Sequence, residues 1–124
     1  MGTFYTSCRI ENRLEPRRVV DIPCLLVDTE SECTWILRST LEGIGVTEPR
    51  KMRSFSMADG RTITRPVGYV VVRIGPDETI DEVVFAEPGD LQLLGSRTLE
   101  GLGLRVDPLQ MLLIPAGPAP AACA

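Results

Sequence analysis

The run from Val19 to Val27, closed by Leu25-Leu26-Val27, stops at a carboxylate, Asp28. So short an apolar run reads as a buried strand, and such a strand delivers its next residue to the point where the sheet ends. Pro23 lies inside it. Further strands are legible on either side. Thr3 to Ile10 alternates apolar with polar residues and carries Phe4, Tyr5 and Ile10, and a polar turn around Pro16 follows, from Glu11 to Arg18. Met52 to Ile74 holds a hairpin signal, with Asp59-Gly60 as a favoured two-residue turn and Gly68 to Ile74 continuing the return strand. Thr79 to Phe85 adds another strand, and Leu104 to Asp107 and Met111 to Ile114 add two brief ones around Pro108. Two short helices are expected: one capped by Ser39, running through Leu41 and Ile44 and closed by Gly43 or Gly45, and one from Ser96 to Leu102, capped by Ser96 and ended by Gly101 or Gly103. The expected fold is a mostly β domain over residues 1–115 with a disordered Pro/Ala-rich tail, residues 116–124.

Composition removes several kinds of chemistry. At 124 residues the chain suits one domain and is short for two. It has no histidine, which excludes Ser-His-Asp and Cys-His catalysis and every histidine-ligated metal. Cys8, Cys24, Cys33 and Cys123 show no C-x-x-C spacing, so they are expected to be reduced, mostly buried thiols acting as small hydrophobes. The net charge is -4, and the 13 basic residues are scattered, which argues against nucleic acid as a partner. Asp77, Glu78, Asp81 and Glu82 read as a solvated turn and strand edge, because their spacing fits no calcium loop. Trp35 reads as core or interface packing. No apolar run approaches the roughly 18 residues a membrane helix needs, and no basic-then-apolar secretory pattern opens the chain, so no membrane partner and a cytoplasmic location are expected. Gly2 and Thr6 fit a myristoylation pattern that is common by chance.

The chain also echoes itself. Leu25-Leu26-Val27-Asp28, followed by a helix ending in Leu41-Glu42-Gly43-Ile44-Gly45-Val46, is mirrored by Leu91-Gln92-Leu93-Leu94-Gly95 and a helix ending in Leu99-Glu100-Gly101-Leu102-Gly103-Leu104. Leu25-Leu26-Val27-Asp28-Thr29-x-Ser31 resembles the hydrophobic-hydrophobic-Asp-Thr/Ser-Gly-Ala/Ser signature of retropepsin-like aspartic proteases. Leu93-Leu94-Gly95 before a helix resembles the element that closes that fold, and Ala58-Asp59-Gly60-Arg61 stands where the family places its flap. The order resembles the small single-domain bacterial and archaeal members, over roughly Thr3 to Ile114.

The resemblance implies a small closed β-barrel of the retroviral protease type and a homodimer, because each chain carries one half-site and an isologous interface must supply the other. Asp28 would be the catalytic residue, with Thr29, Glu30 and Ser31 in its loop and the Thr29 hydroxyl locking that loop. Met57, Ala58, Asp59 and Gly60 would form the substrate-binding flap over an extended peptide or protein substrate. The two Asp28 carboxylates would share a proton and titrate as a unit, one activating water and the other protonating the peptide carbonyl, with no metal or organic cofactor.

One position breaks the pattern. Glu30 stands where the family has glycine, so a side chain and a charge fall beside the dyad. The repulsion favours the protonated pair, and the bulk narrows the cleft. Two further readings follow: a non-catalytic pepsin-like dimer that binds peptide or protein, and an unrelated small β-barrel in which the motif is accidental.

Overall fold

The structure, a computed structural model, describes residues 4–47 and 49–121. Its elements run β1 (Phe4–Glu11), β2 (Val19–Val27), β3 (Thr34–Leu37), α1 (Arg38–Gly43), β4 (Lys51–Ser56), β5 (Thr62–Ile74), β6 (Asp77–Ala86), β7 (Leu93–Leu94), α2 (Ser96–Leu102), β8 (Leu104–Asp107) and β9 (Leu112–Pro115). The molecule is mostly β, as expected. Thr3, Glu48 and Cys123 lie outside the described residues.

Seven strands form one sheet in the order β1-β2-β7-β3-β6-β5-β4. The sheet is ring-like, because β1 also pairs with β5 through Arg9↔Arg73, Ile10↔Val72 and Glu11↔Val71. β4 hangs outside this ring, paired only along the first half of β5. β8 and β9 form a separate hairpin. β3 is buried at Thr34, Trp35 and Ile36, and β6 is buried from Glu82 to Ala86. They pair in parallel, and parallel pairs need cover on both faces.

Two apolar clusters fill the interior. The larger gathers Ile10, Leu25, Val27, Ile36, Leu41, Val70, Val72, Phe85, Leu94 and Leu99 among others. The smaller joins Cys33, Trp35, Val67, Val84, Ala86 and Leu93, with Leu26, Leu37, Phe55 and Ile63 packed on it. Trp35 is buried, its ring 5.0 Å from that of Phe55. Burying a side chain of the size of Phe85 contributes about 2 kcal/mol.

The internal echo is a structural repeat. β2 and β7 lie side by side in parallel, with Leu26↔Leu93 and Val27↔Leu94. Leu41 and Leu99 are both buried, as are Ile44 and Leu102. Each helix is followed by a glycine at positive φ, Gly45 at 82° and Gly103 at 72°, a conformation that favours glycine because it has no Cβ.

Several local expectations change. Neither helix has a side-chain cap: the N-cap positions are Leu37 and Gly95, not Ser39 and Ser96. The β4–β5 connection is a three-residue loop rather than a two-residue turn. Met57 N–H donates to the Arg61 carbonyl and Gly60 N–H to the Met57 carbonyl, and Gly60 takes a φ of 88°, the pattern of a turn followed by a left-handed residue. The β5–β6 strands meet through Gly75-Pro76, with Ile74 opposite Asp77. A glycine at the first turn position is a recognised hairpin signal. No helix among the described residues is long and apolar enough to cross a membrane.

Candidate active site

Asp28 leaves the end of β2 at the sheet's rim and is half-buried, and Thr29 and Glu30 beside it are exposed. Its carboxylate accepts the Glu30 N–H at 3.0 Å, and its carbonyl accepts the Ser31 N–H at 3.3 Å. An Asp that bonds the amide two residues on fixes its own turn. Among the described residues, the hydroxyl that secures this loop is that of Ser31, which donates to the Cys33 carbonyl at 3.0 Å. Thr29 does not take the role expected of it.

The loop is clamped from outside by the second copy of the repeat. Asp28 N–H donates to the Leu94 carbonyl at 3.0 Å, Ser96 N–H to the Ser31 carbonyl at 2.8 Å, and Arg97 N–H to the Glu32 carbonyl at 3.1 Å. The first amides of a helix have no partner within it. Here the Asp28 loop supplies their acceptors, which is why α2 needs no capping side chain. Gly95 makes the approach possible: a Cβ there would collide with the backbone carbonyls of Cys33 and Glu32.

The four residues Met57, Ala58, Asp59 and Gly60 form the tip of the β4–β5 hairpin. Asp59 is held by Arg61, whose backbone N–H and guanidinium both bond its carboxylate, keeping it below the usual carboxylate range. The base of the hairpin is tied to the Asp28 loop. Phe55 and Ile63 pack on the cluster that contains Cys33, Leu93 and Leu26. Arg53 on β4 donates to Glu82 at 2.9 Å and lies 3.6 Å from the Cys33 sulfur. Glu82 is only 6% exposed and also faces Lys51 at 3.6 Å. A buried carboxylate without such partners would be strongly unfavourable.

The acidic run is therefore not a uniformly solvated edge. Glu78 is exposed, Glu82 anchors the hairpin, and Asp81 points the other way to accept the Thr98 hydroxyl at 2.7 Å. Arg65 on β5 grips Asp90 with two hydrogen bonds, at 2.8 and 3.0 Å, and its hydrogen bonds hold the Asp90 carboxyl below its usual range. Arg53 and Glu82 are 29 positions apart, Arg65 and Asp90 25, and Asp81 and Thr98 17, and no local spacing announces these pairings. Cys8 and Cys33 are buried as expected of small hydrophobes, whereas Cys24 on β2 is exposed; burial pushes the Cys8 thiol up to about 12, which disfavours its thiolate.

No family model matches the chain, and no curated protein matches it.

Proposed function

We propose that the chain is one half of a homodimeric aspartic endopeptidase of the retropepsin-like type, its ring-like sheet being the small barrel of that class and its β4–β5 hairpin the flap. The observation that carries this reading is the clamped loop. A half-buried carboxylate follows the end of β2, where Leu25 and Val27 are buried although the strand's first six residues are exposed or half-buried, and the loop's backbone is held by three hydrogen bonds to the second copy of the repeat. Such rigidity is what general acid–base chemistry needs from the group that moves the proton. A second Asp28 across a two-fold axis completes the pair, and no other Asp follows an apolar triplet with Thr or Ser after it. The substrate would be an extended peptide lying between the paired carboxylates and two flaps.

Glu30 favours a second reading, a dimer that binds peptide in the same cleft without cutting it. Its side chain is exposed in the single chain, and the dimer would bring two such side chains beside the carboxylate pair. A negative charge beside the pair disfavours its ionised form, and the side chain fills space that glycine would leave open. Glu30→Gly is expected to raise cleavage of an unstructured protein substrate and move its pH optimum slightly downward, since less repulsion acts on the ionised pair. The check is cleavage by both forms from acidic to neutral pH, at low and high salt. A variant slower at every pH would give Glu30 an active role. Failure of both forms to cleave would favour the binding reading.

A further inference from the structure

Behind the clamp lies a chain of buried hydroxyls that the proposed chemistry does not use. Thr34 on β3 and Thr98 on α2 are both fully buried, with their oxygens 2.5 Å apart. Thr34 Oγ1 accepts the Gly95 N–H at 2.9 Å, and Thr98 Oγ1 donates to Asp81 Oδ2 at 2.7 Å. Each hydroxyl owns one proton, and an ionised carboxylate only accepts. Thr98 spends its proton on Asp81, so the proton between the two hydroxyls belongs to Thr34. The direction of the whole chain is thereby fixed: Gly95 N–H to Thr34, Thr34 O–H to Thr98, Thr98 O–H to Asp81.

Gly95 sits between Leu94, whose carbonyl holds the Asp28 amide, and Ser96 and Arg97, whose amides hold the Ser31 and Glu32 carbonyls. Among the described residues, the three backbone bonds that hold the Asp28 loop to the second repeat come from Leu94, Ser96 and Arg97, within two residues of the one amide that the hydroxyl chain fixes. Asp81 is 13% exposed in its side chain and also faces Arg97 at 3.9 Å, so the chain runs from near the surface of β6 to the loop. We propose that Thr34, Thr98 and Asp81 are positioning residues for Asp28, acting through Gly95 as a directed hydrogen-bond chain. The inference deepens the peptidase reading and, for its effect on cleavage, rests on it.

The test is amide hydrogen exchange of the full chain, read as the protection of Asp28, Ser96 and Arg97 relative to Val70 and Val72 in the core. Thr34→Val keeps the shape and removes the hydroxyl, and is expected to speed exchange at those three amides by about tenfold relative to the core pair. Thr34→Ser restores the hydroxyl and should restore the ratio. Asp81→Leu and Asp81→Asn ask the same at the distal end, where the side chain is less buried, and serve if Thr34→Val does not fold. Leucine removes the acceptor and should loosen the loop, whereas asparagine keeps an acceptor and should not. An unchanged ratio in Thr34→Val or in Asp81→Leu would overturn the proposal, as would a Ser variant no better than Val. In cleavage, kcat should fall with KM unchanged. A wild-type chain that cleaves nothing would remove the peptidase reading, and the exchange ratio would still decide the hydroxyl chain.

Discussion

Asp28→Asn is expected to lower cleavage of an extended peptide by roughly 10³-fold or more, with the fold and the dimer retained. An amide cannot hold or pass the proton that the shared pair requires. It can still accept the Glu30 N–H, which is the one side-chain bond Asp28 makes among the described residues. The backbone bond from residue 28 to the Leu94 carbonyl does not depend on the side chain. Structure and chemistry are therefore separable at this position. The check is peptide cleavage by purified variant and wild type, with circular dichroism and sedimentation on the same samples. Undiminished cleavage would show that Asp28 is not the reacting carboxylate.

Gly95→Ala should cause the largest loss of stability from a single added methyl group. The φ of Gly95 is -93°, which any residue adopts, so no backbone strain is involved. The obstacle is contact: the added carbon would meet the carbonyls of Cys33 and Glu32, and both belong to backbone that is held at several points. Relief requires the Asp28 loop to part from α2, breaking the bonds from Ser96 and Arg97. Overpacking of this kind costs up to about 3 kcal/mol, which for a domain of this size lowers the thermal midpoint by about 10 °C. Gly60→Ala is the contrasting control, since that position faces open space and meets only the cost of a positive φ. Thermal unfolding of the two variants compares them directly. Wild-type stability in Gly95→Ala would mean that the loop and the helix do not approach as closely as described.

Where sequence reading succeeded, the cause was local. The apolar run ending at Val27, the alternation after Phe4 and the glycines that close both helices each express a rule that acts over a few residues. The repeated Leu-Glu-Gly pattern goes further: Leu41 and Leu99 are buried at matching places in the two helices, and the strands preceding them lie side by side, Leu26 against Leu93. The failures have one physical origin. Ser39 and Ser96 are good caps in isolation, but α2 finds its acceptors in a loop more than 60 residues earlier, as the Ser96 bond to Ser31 shows. Thr34 looks like one polar residue opening an apolar strand, and only packing reveals Thr98, 64 residues away, as its partner. The spacing of the acidic residues from Asp77 to Glu82 suits a solvated edge, yet alternation along β6 sends Asp81 and Glu82 to opposite faces with different partners. Glu30 is legible as a departure from a pattern, but its exposure had to come from the structure.

The central claim is that one reacting site is built from two chains, and mixing tests it most directly. Wild type and Asp28→Asn are combined in varied proportion at constant total concentration, allowed to exchange subunits, and assayed on one peptide. If both Asp28 residues are required, activity follows the square of the wild-type fraction, so an equal mixture retains about one quarter of full activity. A linear fall, with half the activity left in the equal mixture after subunit exchange is verified, would mean that each chain acts alone and would contradict the account.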